Sequence, residues 1–257
     1  MTATAHRFNP LCLPWMRRDD AFLTTLTRVG AIRGERMTQA LMLSLFRGID
    51  FAGRRVLDIG GGEGIYSFYA AAMGASEVVC LEPEAEGSVG GDTRTFQRIR
   101  QCMPQLPVRL VERRVNDYHD DDGFDVVAMI ASINHLDEQA CERLLDHPAA
   151  RAAYRQVFAR IASLTKPGGR LIIADCTRYN FFAALGLKNP LCPTIEWEKH
   201  QTPDTWASLL LSAGFCKPRI TWEPLYRFGP AVQALLSNKL AAWFLKSCFR
   251  LEMERCS

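Results

Sequence analysis

Four glycines and two carboxylates mark the part of this sequence best suited to bind a ligand. The segment VLDIGGGEGIYS, residues 56–67, runs from an apolar stretch through Asp58 into Gly60–Gly62 and Gly64. Glycine lets a ligand touch the main chain and allows backbone conformations that side chains forbid. Glu82, eighteen residues beyond Gly64, is placed to accept hydrogen bonds from a ribose diol. This spacing predicts a site for an adenosine-containing ligand.

The acidic residues around the glycines distinguish between two such ligands. Dinucleotide sites place a pyrophosphate at a helix N-terminus, and the carboxylates of Asp58 and Glu63 would repel it. The same two carboxylates suit the ammonium group of an amino-acid moiety. The pattern therefore favours S-adenosylmethionine over NAD, with an NAD-dependent oxidoreductase as the alternative.

Strands that alternate with helices must position these residues. Short apolar runs predict strands, and the segments between them have helical periodicity; the runs are RVLDIG, EVVCLEPE, VRLVERRV, GFDVVAMIAS and RLIIADC. Nearly continuous apolar strands are typical of a parallel sheet with helices on both faces. Ligands of such sheets bind beyond the carboxyl ends of the strands, where the glycines and Glu82 fall.

The remaining segments predict the domain organisation. Residues 1–50 contain two helical patterns and are predicted to form an N-terminal helical lid or substrate segment. Residues 51–257 form the main domain, with a substrate-facing insertion at 180–202. The last two strands are predicted in PRITWEPLYRFG and AAWFLKSCFRLEM, with a helix in PAVQALLSNKL between them. The helical segment DEQACERLLDHPAARAAYRQVFARIASLTKPGG is expected to be broken at Pro148.

The sequence resembles the class I S-adenosylmethionine-dependent methyltransferases of small-molecule type. The match covers roughly residues 54–222 and is carried by VLDIGGGEG, VVCLEPE, VNDYHDDDGFDVVAMIASINHLDE, LTKPGGRLIIADC and TPDTWASLLLSAGF. The resemblance implies an α/β fold with a Rossmann-like, mainly parallel seven-stranded sheet, helices on both faces and the N-terminal helical lid. It also implies S-adenosylmethionine as cofactor and S-adenosylhomocysteine as product.

The resemblance assigns cofactor contacts to eleven positions: Asp58, Gly60, Gly61, Gly62, Gly64, Glu82, Pro83, Asn116, Asp117, Tyr118 and Ser132. The glycine backbone would cradle the cofactor, Asp58 would orient its amino-acid portion, and Glu82 would hold the ribose hydroxyls. Asp117, with Tyr118 beside it, would meet the adenine amino group. Residues 132–135 would line the pocket near the sulfonium.

Two histidines are candidates for proton transfer. An alcohol acceptor needs a base, whereas an amine needs only its neutral form. His135 follows the fourth predicted strand, and His200 lies in IEWEKHQTP, before a helix near the same edge. His200 is preferred as the catalytic base, with His135 second. The alternatives are a packing role for His135 and a solvated loop for His200.

Four further residues are expected to contact the acceptor, namely Arg178, Tyr179, Asn180 and Trp197. The predicted reaction is O-methylation of a small molecule, either a sugar or glycan precursor or a secondary metabolite. N-methylation of a small amine and a non-catalytic protein that binds the cofactor or its product are the alternatives. The chain lacks the Pro-Pro-aromatic and Pro-Cys motifs of many nucleic-acid methyltransferases, so nucleic acid is not expected as a partner.

Composition limits the remaining function classes. The chain has 257 residues and a formal charge of +3, too small to indicate nucleic acid or membrane by itself. No apolar run is long enough to predict a membrane span. Nine scattered cysteines without a C-x-x-C pair favour a reducing cytoplasm, and the lack of ligand spacing predicts no metal. Oligomeric state stays open.

Overall fold

The computed structural model describes residues 16–83 and 93–257, so residues 1–15 of the predicted lid lie outside the described residues. Seven strands occur in the described residues: β1 Arg55–Ile59, β2 Glu77–Leu81, β3 Val108–Val111, β4 Phe124–Ile130, β5 Thr165–Cys176, β6 Phe215–Trp222 and β7 Cys248–Arg255. Ten helices accompany them there: α1 Met16–Arg28, α2 Glu35–Leu45, α3 Ile65–Ala72, α4 Thr93–Cys102, α5 Glu138–Glu142, α6 Pro148–Leu164, α7 Phe181–Ala184, α8 Pro203–Ser212, α9 Pro230–Leu236 and α10 Lys239–Phe244.

The strands form one sheet in the order β3-β2-β1-β4-β5-β7-β6. The first five strands in this order pair in parallel, whereas β7 is antiparallel to both β5 and β6. The predicted seven-stranded, mainly parallel sheet is therefore confirmed, with the correction that the sheet is mixed. The chain reverses strand order on either side of β1 and β4, which places the ligand-binding crevice at their carboxyl ends.

Both faces of the sheet are buried, as the continuous apolar strands predict. Successive side chains of a strand point to opposite faces. In β1, Leu57 packs in a core with Tyr154 of α6 and Trp206 of α8. Val56 packs on the other face, in a core that includes Phe68 of α3. Each large apolar side chain buried in this way stabilises the fold by about 1.5–3 kcal/mol.

The two helices before β1 belong to the second core. Leu26 of α1, together with Met42 and Leu45 of α2, is almost completely buried there. Arg250 of β7 donates from Nε to the carbonyl oxygen of Leu45 at 2.6 Å, which ties the end of α2 to the sheet. Burial lowers the pKa of Arg250 to about 10. The predicted N-terminal lid is therefore not supported, because these helices are packed walls of the domain.

The prediction for AAWFLKSCFRLEM is correct only in its second half. Residues 239–244 form α10, since the side-chain oxygen of Asn238 accepts a hydrogen bond from the Ala241 amide at 3.0 Å and caps the helix. Strand β7 begins at Cys248, directly after Ser247 turns the chain with a φ of 55°. The apolar run is compatible with either a strand or a helix, and the capping residue that precedes it favours the helix.

Two helix starts follow the sequence signals. Pro148 occupies the first turn of α6 and confirms the predicted break before it. Thr202 caps α8 by accepting from the Thr205 amide at 3.1 Å, with Pro203 at the first helical position. Proline is favoured there because its missing N–H has no partner in the first turn of a helix. Helix α8 begins close to the carboxyl edge, so its cap also positions the segment before it.

Candidate active site

The glycine loop turns the chain from β1 into α3 without space for side chains. Gly64 has a φ of 77° and is the cap residue of α3. A Cβ on Gly60 would lie 2.5 Å from the Cβ of Ser132, and one on Gly61 would lie 2.6 Å from Sγ of Cys80. The loop therefore lies directly against the ends of β2 and β4. The amides of Gly60 and Gly64 donate to the carbonyl oxygens of Leu81 and Gly61.

Asp58, the last polar residue of β1, is buried beneath the loop. Its Oδ2 accepts a hydrogen bond of 2.6 Å from the hydroxyl of Ser67 on α3, while Oδ1 is buried without a partner. Burial, and to a smaller extent the nearby charge of Glu82, raises the pKa of Asp58 to about 6, against the lowering effect of the Ser67 hydrogen bond. A buried acceptor without a partner marks a place where a donor from a ligand would be favourable.

Replacement of Asp58 with asparagine is expected to stabilise the ligand-free protein. The folded-state pKa of about 6 lies above the ordinary value of 3.8, so the folded state holds the proton more tightly than the unfolded state. Stability therefore falls as the pH rises from about 4 to about 6. Asp58→Asn should remove that fall and add on the order of 2–3 kcal/mol at neutral pH. Urea unfolding of both proteins across this pH range measures the difference.

Ser67→Ala is the matched control, since it removes the hydrogen bond to Asp58 and retains the carboxylate. We expect this variant to be less stable than wild type at neutral pH. An Asp58→Asn protein with the stability and pH dependence of wild type would show that the buried carboxylate does not lower the free energy of unfolding.

Glu82 follows β2 and faces the same loop. Its side chain is buried, and Oε2 accepts a hydrogen bond of 2.8 Å from the amide of Gly62. Burial raises the pKa of Glu82, while the Gly62 amide and the charge of His135 lower it. The carboxylate thus stands beside the glycine loop. Pro83 follows it at the end of the first described range.

The end of β4 closes the other side of the loop. The hydroxyl of Ser132 donates to the carbonyl oxygen of Ile59 at 2.6 Å, which joins β4 to β1 at the carboxyl edge. Ala131 has a φ of 54°, a conformation that is strained for a residue with a side chain. Asn134 is buried, and its Oδ1 has no partner. Strain and unmatched polar groups are features of ligand sites.

The residues predicted around the adenine lie in different environments in the structure, some on the surface and one in the core. Asn116 and Asp117 are exposed in a single turn after β3. The ring of Tyr118 is buried in the core, and its hydroxyl accepts from Arg109 at 2.9 Å and donates to Asp120 at 3.3 Å. Arg109 belongs to the amino-terminal part of β3, so this hydroxyl points toward the edge opposite the glycine loop. The side chain of Tyr118 is thus not brought to the loop.

Only one of the two candidate histidines is held by a buried carboxylate. His200 Nδ1 lies 3.1 Å from Oδ1 of Asp175, near the end of β5, and both side chains are largely buried. His135 is more than half exposed and pairs with Glu138 at 2.6 Å. Asp175 also accepts from the amide of Cys176 at 2.6 Å, and its Oδ2 is buried without a partner. The structure therefore builds a fixed imidazole–carboxylate pair around His200.

A cavity of about 550 Å³ opens at the carboxyl ends of β4 and β5, and Asp175 is one of its lining residues. Its walls are mainly apolar and come from α2, the sheet and the segment after β6; they include Leu41, Tyr66, Ile130, Leu191, Leu225 and Phe249. Asp175, Glu223 and Tyr226 add polar atoms to the lining. The volume is that of a site for a drug-sized molecule.

A family model for a methyltransferase domain matches residues 31–217, nearly three quarters of the chain. The chain belongs to this methyltransferase family. The glycine loop, Glu82 and the sheet order agree with the class I, S-adenosylmethionine-dependent type of this domain, which is the type that the sequence predicts. No curated protein matches the sequence significantly.

Solved structures show the same fold at low sequence identity. An S-adenosylmethionine-dependent methyltransferase from Mesorhizobium loti is 16% identical, with 85% of this chain and 98% of that chain covered and a TM-score of 0.55. One from Aquifex aeolicus is 15% identical, with the same coverage and a TM-score of 0.54. These structures are similar to this methyltransferase in architecture, and acceptor specificity does not follow from them.

The residues at the loop fit the cofactor that the family implies. S-adenosylmethionine carries an ammonium group, a carboxylate, a ribose diol and an adenine. The unpartnered Oδ1 of Asp58 is an acceptor for a donor from the amino-acid portion. The amides of Gly60, Gly62 and Gly64 already donate within the protein, so the remaining amides of the loop would be the donors for its carboxylate. Glu82 matches the diol. A Cβ on Gly60 or Gly61 would disturb the packing beneath this cradle.

The residues predicted to contact the substrate of this methyltransferase follow β5 at the carboxyl edge of the sheet, but two of them already have partners within the protein. The amide of Asn180 donates to Trp243 O, Leu245 O and the Ser247 hydroxyl at 2.9–3.1 Å, so it ties two loops together. Arg178 donates to Gln201 at 3.4 Å. Tyr179 is exposed, and Trp197 is partly buried in the single turn Trp197–Lys199 before His200.

Sequence reasoning did not single out Glu223 and Tyr226. Both follow β6, and they reach the cavity because β6 lies beside β7 at the sheet edge. Glu223 accepts from the Ser44 hydroxyl of α2 at 3.0 Å, and burial raises its pKa. The only signal in the sequence is a glutamate directly after an apolar strand, which is also common in solvated turns. The sheet order, rather than the local pattern, assigns these residues to the site.

Proposed function

We propose that this protein transfers a methyl group from S-adenosylmethionine to a hydroxyl of a small apolar molecule. The observation that carries the proposal is the hydrogen bond of His200 to Asp175, a residue that lines the apolar cavity. A hydroxyl is a poor nucleophile until a base takes its proton. A buried imidazole held by a buried carboxylate supplies such a base at the edge where the cofactor loop ends.

The protein residues have distinct roles in this proposal. When bound, S-adenosylmethionine supplies an electrophilic methyl carbon. The carboxylate of Asp175 accepts from Nδ1–H of His200, which leaves Nε2 as the basic nitrogen. His200 takes the acceptor proton through Nε2, and Asp175 stabilises the imidazolium that forms. Ile130 and Phe249, which line the cavity with other apolar residues, hold the acceptor and exclude water.

The lining of the cavity favours a secondary metabolite over a sugar as acceptor. A sugar presents many hydroxyl groups, and each one that loses water needs a partner in the protein. Here the walls are mainly apolar, with polar atoms concentrated at Asp175, Glu223 and Tyr226. The phenol oxygen of Tyr226 is buried without a partner. Such a cavity suits an aromatic or aliphatic body with one or two polar groups.

N-methylation of an amine is the second candidate, and the two carboxylates of the cavity favour it. Asp175 and Glu223 are both buried, so either would attract an ammonium group. An amine needs no base for attack once it is neutral. The two reactions differ in their dependence on His200, which a variant at that position measures.

The experiment is calorimetric titration with S-adenosylhomocysteine, with NADH in parallel, followed by an acceptor screen. We expect binding in the micromolar range, no signal from NADH, and radiolabelled methyl transfer to phenolic or other apolar alcohols. Absence of S-adenosylhomocysteine binding would exclude the proposed reaction. Binding without transfer to any acceptor class would support the remaining alternative, a protein that binds the cofactor or its product without catalysis.

The cellular setting is inferred from the cysteines. The eight cysteines among the described residues are all free thiols, which supports a reducing, cytoplasmic location. Over residues 16–83 and 93–257, no helix has the length and apolar character needed to cross a membrane. Nucleic acid is not part of the proposal, because an apolar cavity of this size suits a small molecule.

A further inference from the structure

Two neighbouring segments form an unusual surface beside the cavity. We define the basic apolar face as the exposed side chains of residues 178–190 and 226–247, which contain α7, α9 and α10. Twelve large apolar side chains are exposed among the described residues, and eight of them lie on this face: Tyr179, Leu185, Leu187, Phe228, Val232, Leu235, Leu240 and Phe244. Leu235 and Leu240 are 74% and 65% exposed. Apolar side chains clustered in this way mark an interaction surface.

The charges on this face are all of one sign. The two segments carry Arg178, Lys188, Arg227, Lys239 and Lys246. Neither segment contains an aspartate or a glutamate, and none occurs anywhere in 178–195 or 224–251. The protein as a whole carries a formal charge of only +3, so the face is far more basic than the chain average. Its partner should therefore be anionic.

The face is held rigidly by contacts between its two segments. The ring of Phe181 packs against Trp243 and Phe244, with centroids 5.3 and 4.7 Å apart. Asn180 donates to the carbonyl oxygens of Trp243 and Leu245, and Asn189 donates to the latter oxygen as well. The exposed side chains of Leu240 and Phe244 on α10 thus project from an ordered support, which reduces the entropy lost when a partner is bound.

The cavity opens directly beside this face. Pro190, Leu191, Tyr226, Arg227 and Lys246 line the cavity and lie within or next to the two segments. An apolar molecule bound against the face would therefore be adjacent to the cavity mouth. The surface and the candidate acceptor site are parts of one edge of the domain.

We propose that the basic apolar face docks on an anionic lipid bilayer. Exposed leucine and aromatic side chains interleaved with lysine and arginine are the features of interfacial membrane binding. Anionic headgroups attract the cations, and the leucines enter the boundary between headgroups and acyl chains. A protein partner with an apolar groove would not require four exposed cations, Lys188, Arg227, Lys239 and Lys246, without a single anion. If the proposed function also holds, the acceptor reaches the cavity from the bilayer.

Vesicle co-sedimentation tests the docking independently of activity. Wild type is mixed with vesicles of phosphatidylcholine and phosphatidylglycerol, and with vesicles of phosphatidylcholine alone, at low and high salt. We expect binding to the anionic vesicles only, weakened by salt. Leu235→Glu/Leu240→Glu should lower the partition coefficient by at least tenfold, on the order expected for loss of two inserted leucines. Lys188→Glu/Lys239→Glu should also lower it.

Leu211→Glu is the matched control, because Leu211 is 48% exposed at the far end of α8, outside the face. It should bind vesicles like wild type. S-adenosylhomocysteine titration of every variant verifies the fold and separates failure of docking from failure of the proposed function. Equal vesicle binding by Leu235→Glu/Leu240→Glu and wild type, or no binding at all, would overturn the proposal. So would a dimer in sedimentation velocity that this double variant dissociates, since a second copy would then cover the face.

Discussion

Glu82→Ala is expected to weaken S-adenosylhomocysteine binding by at least about 100-fold. The carboxylate is buried beside the glycine loop and already accepts from the Gly62 amide. Two charge-assisted hydrogen bonds to a ribose diol would be lost, each contributing about 1.5–3 kcal/mol. Loss of the Gly62 contact would also loosen the loop. Isothermal titration calorimetry of the variant and wild type measures the change in Kd.

Two further variants make this measurement specific. Glu82→Gln retains an acceptor for the Gly62 amide but removes the charge, so it should fall between wild type and Glu82→Ala. Glu142→Ala removes an exposed carboxylate of α5 and should leave the Kd unchanged. If Glu82→Ala retains the wild-type Kd while folding normally, the diol must be held elsewhere and the orientation of the cofactor proposed here is wrong.

His200→Asn is expected to lower kcat for a hydroxyl acceptor by about 100- to 10,000-fold, the usual contribution of a general base. The Kd for S-adenosylhomocysteine should stay within a few-fold of wild type, because His200 is bonded to Asp175 and not to the glycine loop. Asp175→Asn should also lower kcat, since an amide no longer selects the tautomer with a basic Nε2. Steady-state kinetics with a saturating acceptor measure both effects.

His135→Asn is the matched control for the loss of an imidazole near the same edge. His135 is mostly exposed and paired with Glu138, so we expect its replacement to leave kcat almost unchanged. If His200→Asn keeps the wild-type kcat, His200 is not the general base, and methylation of an amine is favoured. A large loss in His135→Asn with none in His200→Asn would exchange the roles of the two histidines.

The cofactor half of the site could be predicted from local sequence. Asp58, the glycines and Glu82 occupy the ends of two adjacent parallel strands, and their strand–turn–helix context is continuous in the chain. Tyr118 shows the limit of this reasoning. It follows β3 in sequence, yet its ring enters the core and its hydroxyl bonds Arg109 near the opposite edge. A side chain's direction depends on packing that the local pattern does not specify.

The acceptor half depends on contacts between distant parts of the chain. His200 was a candidate because of its place before a helix, but its partner Asp175 is 25 residues away and belongs to β5. Glu223 and Leu41 reach the same cavity from segments almost two hundred residues apart. The N-terminal helices were expected to form a lid, yet they are packed walls because their apolar faces are buried against the sheet.

By itself, the sequence predicted the fold class, an adenosine-type cofactor and the loop that is proposed to bind it. These follow from periodicity, glycine spacing and strand ends, which are properties of short continuous segments. Only the tertiary structure decided that His200 has a buried carboxylate partner, that the cavity is mainly apolar, and that the basic apolar face adjoins it. The last two of these features arise where β7 inserts between β5 and β6 and brings the C-terminal segments to the carboxyl edge. Sheet order is a non-local outcome of packing both faces, so no local pattern contains it.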